Sequence, residues 1–425
     1  MGSRFTKYKW ITLISFALMY NLVYLGRFNV NNLIGNFAME LGMTVAQQNI
    51  ITLSLFASYA IGSFFNGHFA DKYGAKKVIL LGVSVSIMVN FSVSLMENWI
   101  AIWIATVVNG FFQSMIWIGG ISMLAHWWQE GERGKGIGIV NFFSGISHAT
   151  SYLVPLLFLA VWPEMEWRLN FIFPICILMA FAYIFGMVAV ERPEEKGLKP
   201  YAEKNHKQRK REDAFIKRKM KDKPSWGYFF KQKKFLWWCG IAILSSICRY
   251  GLLNWIPMYY AGEGQINILN DNFSNLTLPI GMAVGTLVIT WVAGTKFFNN
   301  KGIIVTAMAA LCGTLVLIFP MINNTQIVLV GIFFTGFALY GINGLLWLYA
   351  IDEGCRVLSG TAAGILNGFA YLGACLEGFI LPLTLNVFED VMAVFIVLEA
   401  LCIGMVICGM IVSKKDTIVV PEVRE

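Results

Sequence analysis

The chain has 425 residues, of which 57% are hydrophobic and only 14% are charged, whereas soluble domains are about 45–50% apolar and about 25% charged. This composition excludes a chain of soluble domains and predicts an all-α polytopic membrane protein. The net charge of +8 does not indicate nucleic-acid binding, because residues 191–235 alone hold 16 Lys/Arg and 7 Asp/Glu and the rest of the chain is close to neutral.

Twelve predicted membrane-spanning helices fall into two groups of six, separated by this basic segment. Each has the roughly 20 mostly apolar residues that a helix needs to cross a bilayer. The predicted spans are 11–34, 46–69, 78–95, 99–126, 136–161 and 169–190, followed by 235–260, 273–294, 302–321, 326–350, 359–387 and 391–413. The corresponding domains are an N-terminal six-helix half at 1–190, a basic linker at 191–234, a C-terminal six-helix half at 235–413 and a tail at 414–425.

The charges between the spans predict the orientation of the chain. Basic residues collect on the side of the N-terminus and the linker, and such an excess marks the cytoplasmic side of a membrane protein. The opposite side has one basic residue, Arg168, and eight acidic residues: Glu40, Glu97, Glu164, Glu166, Glu263, Asp271, Glu389 and Asp390. Both termini are therefore predicted to be cytoplasmic in a multi-pass membrane protein. For the linker we expect a solvated, flexible segment, as is usual for a run of like charge.

Two tyrosines in the first span share a helix face with an arginine. Tyr20, Tyr24 and Arg27 are spaced by four and three residues, which places them on one side of a helix. A row of tyrosines alone more often packs against a neighbouring helix. Beside Arg27 it indicates the polar wall of a cavity.

The loop between the second and third spans carries a pattern of glycines and charges. It reads Gly-His-Phe-Ala-Asp-Lys-Tyr-Gly-Ala-Lys-Lys from Gly67 to Lys77. Glycine permits tight turns and close helix approach, and a carboxylate can accept hydrogen bonds from a helix end. A plain charged turn would explain the lysines but not Gly67, Asp71 and Gly74 together. The segment resembles the G-x-x-x-D-[KR]-x-G-[KR]-[KR] loop of the major facilitator superfamily, which implies two six-helix halves with a substrate site near the midplane between them.

Five ionisable residues lie deep inside predicted spans: Arg27, His148, Arg249, Glu377 and Glu399. A central arginine costs roughly 2.5–3.5 kcal/mol on insertion scales, so each such residue requires a reason. Arg27 and Arg249 lie at similar depths in the first helix of each half, so we expect them to face each other across a central cavity. Two guanidinium groups can bind the oxygens of a phosphate or carboxylate. The alternative is that each arginine pairs with a buried acid, Glu377 or Glu399.

Several segments resemble the organophosphate:phosphate antiporters, the family of the glycerol-3-phosphate and hexose-6-phosphate transporters. They are Cys248–Pro257, Phe112–Trp117, His126–Gly134, and Gly360–Gly364 followed by Tyr371–Gly373. The resemblance implies that an organic phosphate is exchanged for inorganic phosphate by rocking of the two halves, with Arg27 and Arg249 holding the phosphate. It also implies a location in the plasma membrane or bacterial inner membrane. It also implies that these residues line the cavity: Tyr20, Tyr24, Tyr59, Trp117, Asn141, Tyr340 and Tyr371.

The chain departs from the glycerol-3-phosphate antiporter at three of these cavity and motif positions. Ser63 stands in place of a lysine, Ser144 in place of a histidine and Asn254 in place of an aspartate. The loss of one fixed and one titratable positive charge favours a ligand that is less charged than glycerol 3-phosphate or has a larger polyol part.

Three of the buried ionisable residues have more than one interpretation. His148 lies one turn beyond Ser144 on the same helix face, so its imidazole could enter the cavity; the alternative is a packing role. Glu377 could carry a coupled proton or pair with an arginine. For Glu399 a packing role is favoured.

These features predict a secondary active transporter of a small organic anion, with an organophosphate exchanged for inorganic phosphate as the leading hypothesis. Two alternatives stay open: a proton-coupled symporter of a carboxylate or sulfonate, and a transporter-like membrane sensor of a phosphorylated sugar. An enzyme is not expected, because the sequence lacks P-loop, H-E-x-x-H and G-x-S-x-G motifs. The expected partners are the anionic substrate and the bilayer, with no nucleic acid, cofactor or metal, and the chain is expected to be a monomer.

Overall fold

The computed structural model describes residues 2–162, 166–201, 206–262, 274–295, 300–318, 321–322 and 324–414. Three of the acidic residues used to predict the orientation, and most of the predicted tail, lie outside these ranges: Glu164, Glu263, Asp271 and 415–425. Within the described ranges the secondary structure is helical throughout, which confirms the all-α class.

Fourteen α-helices are described. The first six are α1 (Ser3–Glu40), α2 (Val45–Tyr73), α3 (Ala75–Val93), α4 (Trp99–Trp127), α5 (Arg133–Val161) and α6 (Trp167–Val188). The linker region contains α7 (His206–Lys217) and α8 (Trp226–Phe230). The remaining six are α9 (Lys233–Gly262), α10 (Ser274–Ala293), α11 (Lys301–Ile318), α12 (Thr325–Gly354), α13 (Ser359–Phe388) and α14 (Val391–Ser413).

The twelve long helices, α1–α6 and α9–α14, coincide with the twelve predicted spans. Over the described residues, eleven of them are long and apolar enough to cross a membrane; α5, with 29 residues, occupies the position of the fifth predicted span. Helix ends differ from the predicted ends, and α1 continues six residues beyond 34, to Glu40. A helix forms its own backbone hydrogen bonds in water as well as in lipid. It can therefore continue beyond the apolar segment, and hydropathy does not mark its end.

One part of the linker, α7, is packed against the protein, although the charge of the linker predicts a solvated segment. Arg211, Ala214 and Phe215 of α7 are buried, and their spacing puts them on one helix face. The Arg211 guanidinium forms an ion pair with Glu353 at 3.0 Å, and Arg356 Nε donates to Glu212 Oε1 at 2.9 Å. The expectation was wrong over α7 because ion pairs with the end of α12 and with the α12–α13 turn compensate the buried charges.

These contacts also affect the titration of Arg356. Burial alone would lower the pKa of its guanidinium, but the hydrogen bond and the charge of Glu212 outweigh the burial, and the pKa is raised. The Arg356 guanidinium therefore stays ionised at every physiological pH.

The chain forms two compact units. The first consists of Met1–Gln129, Ser147–Ser225 and Ile351–Gly368, and the second of Glu130–Ile146, Trp226–Ala350 and Phe369–Glu425. In the first unit α2 packs closely on α4, because glycines bring the two backbones together. A Cβ added at Gly62 would lie 2.8 Å from the Phe111 carbonyl oxygen. In the second unit Gly281 and Gly285 of α10 pack in the same way against the backbone of α12.

We expect Gly62→Ala to lower the unfolding temperature of the purified protein and Gly240→Ala to leave it unchanged or raise it. Both substitutions gain about 1 kcal/mol of helix propensity. Only the alanine methyl group introduced at 62 would collide with backbone atoms. At 240 the atom nearest to the new methyl group, Cys408 Sγ, is 3.9 Å away. Overpacking costs about 1–3 kcal/mol. Equal shifts in thermal unfolding of the two variants would contradict the close α2–α4 packing.

Candidate substrate-binding site

Arg27 is the centre of a buried polar cluster in the first unit. Its side chain is buried, with 1% of the residue exposed. Nε donates to Gln113 Oε1 at 2.9 Å, and Nη2 donates to Tyr59 OH at 3.3 Å and Tyr20 OH at 3.5 Å. The guanidinium carbon lies 4.5 Å from the ring centroid of Tyr24. Hydrogen bonds and ring faces thus replace part of the hydration that the cation loses on burial.

A second layer of polar residues orients Gln113. Its Nε2 donates to Ser86 Oγ at 2.8 Å, and Ser86 Oγ donates to Asn109 Oδ1 at 2.7 Å. Asn109 Nδ2 in turn donates to the Gly26 carbonyl oxygen at 2.9 Å. The chain of hydrogen bonds leaves the Gln113 oxygen as the acceptor that faces Arg27.

The sequence analysis missed this second layer. Asn109 and Gln113 lie four residues apart in α4, as do Ser86 and Asn90 in α3. Polar residues at that spacing in an apolar span share one helix face, and this signal could have identified them.

Aromatic side chains enclose the Arg27 cluster. The Trp117 ring lies 4.8 Å from Tyr20 between centroids. The His148 imidazole lies 4.9 Å from the Tyr24 ring and 5.2 Å from the Phe28 ring. The structure therefore brings all the predicted site residues of the first unit to one cluster: Arg27, Tyr20, Tyr24, Tyr59, Trp117 and His148.

Arg249 has a comparable aromatic setting in the second unit. It is buried, with 8% exposed, and its guanidinium carbon lies 4.4 Å from the Tyr250 ring centroid and 5.6 Å from that of Tyr340. Tyr371 of α13 is also buried. Asn141 accepts a hydrogen bond from Asn343 at 3.4 Å. Tyr250 and Asn343 are site neighbours that the sequence analysis did not single out.

Glu377 is bound to the residue that replaces the aspartate of the seventh-span motif. Asn254 Nδ2 donates to Glu377 Oε1 at 3.3 Å, and Glu377 is 7% exposed. In the described part of the chain its hydrogen-bond partners are Asn254 and Trp255, not an arginine. An aspartate at 254 would repel this carboxylate, so an amide is the compatible residue. Glu399, in contrast, lies against Gly313.

Ser63 occupies a closed helix contact where the glycerol-3-phosphate antiporter has a lysine. It is fully buried, its hydroxyl donates to the Tyr59 carbonyl oxygen at 2.8 Å, and it accepts from Asn367 Nδ2 at 3.2 Å. A Cβ at Gly364 would lie 2.5 Å from the Ser63 carbonyl oxygen. The Ser63 side chain is therefore enclosed in the contact between α2 and α13.

Asp71 caps the start of α13. Oδ1 accepts from the Gly360 N–H at 2.8 Å, and Oδ2 accepts from both the N–H and the hydroxyl of Thr361 at 2.6 Å. A helix N-terminus has free N–H groups and a partial positive charge, which a carboxylate stabilises.

The two motif glycines permit this contact. A Cβ at Gly67 would lie 2.5 Å from the Gly360 carbonyl oxygen. Gly74 has φ +105°, and a Cβ there would lie 2.8 Å from Glu191 Oε2. The predicted motif Gly67, Asp71 and Gly74 therefore joins α2 to α13 and the end of α6.

Comparison with known proteins relates the chain to membrane transporters. The sequence model described as Major Facilitator Superfamily matches residues 16–376. The glycerol-3-phosphate transporter of Bacillus subtilis is 24% identical over 354 residues, covering 79% of this chain and 77% of that protein. The hexose-6-phosphate:phosphate antiporter of Escherichia coli is 24% identical, with 83% and 78% covered. The membrane sensor protein UhpC of Salmonella typhimurium is 22% identical, with 92% and 88% covered.

A solved structure has the same fold. The crystal structure of the human organic anion transporter MFSD10 superposes with a TM-score of 0.71 at 12% identity, covering 94% of this chain and 99% of that one. At that identity the likeness concerns the fold alone, and it agrees with the predicted twelve-helix arrangement. The resemblance to organophosphate:phosphate antiporters seen in the sequence is confirmed by the relatives, at low identity.

We expect Asp71→Asn to destabilise the protein more than Asp390→Asn. Asp390 caps α14 locally through one bond to the Met392 N–H at 2.8 Å, and Asn caps a helix about as well as Asp. An asparagine side chain in place of Asp71 would have one acceptor oxygen for three buried donors, at a cost of about 1–3 kcal/mol for an unsatisfied group. Thermal unfolding in detergent measures the difference. Two equal, small shifts would contradict the capping role of Asp71.

Proposed function

The chain belongs to the Major Facilitator Superfamily, and from that premise we propose that it is a secondary active transporter that exchanges a small organic phosphate for inorganic phosphate. The observation that carries the proposal is the pair Arg27 and Arg249. Each is buried among tyrosine rings, and each lies in the first helix of its six-helix group. The names of the relatives, among them glycerol-3-phosphate and hexose-6-phosphate transporters, agree with a phosphate ligand.

The chemistry of guanidinium suits a phosphate group. Its N–H groups form a planar fork that binds two phosphate oxygens together, and its charge is permanent. Gln113 holds the Nε edge of Arg27, so the Nη edge is directed toward the tyrosine hydroxyls. We propose that both arginines contact the phosphate during the transport cycle and that Tyr20, Tyr59 and Tyr340 complete its hydrogen bonds.

The same charges explain exchange rather than one-way transport. With no anion bound, a site that holds two arginines keeps two like charges in a region of low polarity, and this is costly. Reorientation of the empty site is then slower than reorientation with either phosphate bound. Since Ser63 and Ser144 carry no charge, we propose an organic phosphate with a larger polar organic part than glycerol 3-phosphate.

We propose the topology that the sequence predicts, with both termini and the linker cytoplasmic and six-helix halves at 1–190 and 235–413. We also propose that the protein is a monomer without enzymatic activity. Asn141, Tyr371 and His148 would line the organic part of the substrate.

We expect Arg27→Lys and Arg249→Lys each to lower the rate of phosphate-driven exchange at low substrate by about 30- to 150-fold, because lysine keeps the charge but loses about 2–3 kcal/mol of fork hydrogen bonding. Exchange of labelled phosphate in liposomes measures this. Arg168→Lys is the matched control, since Arg168 pairs with Glu40 at 2.9 Å and both side chains are partly exposed. Full activity of Arg27→Lys would contradict the proposal.

Proton-coupled symport is the second candidate, and the buried Glu377 is the observation that favours it. A carboxylate that exchanges a proton during the cycle would make uptake depend on a pH gradient. Glu377→Gln would then abolish gradient-driven uptake and leave counterflow exchange intact. If Glu377→Gln keeps both activities, Glu377 has no role in proton coupling. A sensor, as one relative is named, would bind the ligand with no flux in the same liposomes.

A further inference from the structure

A cavity of about 350 Å³ lies in the first unit, beside the linker and away from the Arg27 cluster. Its wall is formed by the ends of α2 and α4, the segment after α6, α7 with the turn that follows it, and the α12–α13 turn. The volume lies in the range of small-molecule pockets, about 300–1,000 Å³. None of the predicted substrate-binding residues lines it, so the proposed transport function does not account for it.

The wall of the cavity carries hydrogen-bond donors that a ligand could use. His126 is 9% exposed and makes no hydrogen bond within the described residues. Arg192 is half-buried, and in the described part of the chain its Nε is engaged by Glu191 Oε1 at 3.2 Å. Its two Nη groups are available to a ligand as a fork. Imidazole and guanidinium both donate hydrogen bonds to anionic oxygens.

The charge around His126 is positive. The ionised groups that act on its ring are Arg192, Arg356 and Lys221. Two of the acidic residues in the wall are already saturated, because Asp71 binds the start of α13 and Glu212 binds Arg356. The remaining acids in the wall, Glu194 and Asp222, are exposed to solvent, as are Lys219 and Lys221.

We propose that this cavity is a second ligand site, which binds the phosphate group of a small anion through Arg192, His126 and Lys221. The apolar side chains of Phe215 and Val357 in the wall leave room for an organic part. The phosphate group comes from a soluble phosphate or ester, or from a lipid headgroup, and both have the same recognition chemistry.

The position of the site gives the ligand a regulatory effect. Its wall includes Asp71 of the α13 cap and the Arg356–Glu212 pair that docks α7. A bound anion would contact the linker, the end of α2 and the α12–α13 turn. A ligand stabilises the conformation to which it binds. Occupancy would therefore slow any conformational change that separates α2 from the start of α13.

The test measures thermal unfolding of the full-length protein against inorganic phosphate, with chloride at equal ionic strength as reference. Arg27→Gln serves as the background, because it removes the proposed transport site. We expect a saturable rise in unfolding temperature that persists in this background, since a ligand bound only to the folded state stabilises it. Arg192→Gln and His126→Gln should each raise the apparent Kd about tenfold or more. Lys217→Gln, an exposed linker lysine outside the wall, is the matched control and should have no effect.

Lipid distinguishes the two sources of phosphate. A phosphate effect that persists in nanodiscs containing phosphatidylglycerol assigns the site to a soluble anion, and an effect seen only in lipid-free detergent assigns it to a headgroup. No saturable effect in either medium, or equal effects in Arg192→Gln, His126→Gln and the control, would overturn the proposal. Failure of exchange in liposomes with cavity binding intact would refute only the transport function.

Discussion

A charged side chain inside an apolar helical bundle loses its hydration, and the protein must replace what the water provided. Arg27 is surrounded by an amide oxygen, two phenol hydroxyls and a tyrosine face. Asp71 has the free N–H groups of α13, and Glu377 has Asn254. These compensating groups come from different helices, so the charges specify which helices meet. The candidate substrate site and the α2–α13 junction both follow from this constraint.

Glycine makes the helix contacts close enough for such compensation. In the first unit α2 meets α13, where a Cβ at Gly67 would lie 2.5 Å from the Gly360 carbonyl oxygen. In the second unit α5 meets α10, where a Cβ at Gly145 would lie 2.7 Å from the Ala283 Cα. Each contact joins a helix of one predicted half to a helix of the other. Rocking of the halves would have to open both, and the hydrogen bonds of Asp71 would then be broken.

The sequence predicted much of the Arg27 cluster but not how it is supported. Tyr20, Tyr24 and Arg27 lie on one helix, so their periodicity was sufficient. The role of Gln113 could not be derived, because its partner Arg27 is 86 residues away and on another helix. The prediction for the linker was wrong because all of its charges were expected to be solvated. Arg211 instead forms an ion pair with Glu353, which lies 142 residues further along the chain.

The sequence by itself determined the all-α membrane class, the number of long helices and the ionisable residues inside the spans, because hydropathy and helical period are local properties of the chain. Only the tertiary structure decided the partners of the buried charges: Gln113 for Arg27, Asn254 for Glu377, the start of α13 for Asp71 and the end of α12 for Arg211 of the linker. A partner on another helix depends on helix packing, which periodicity along one helix does not contain.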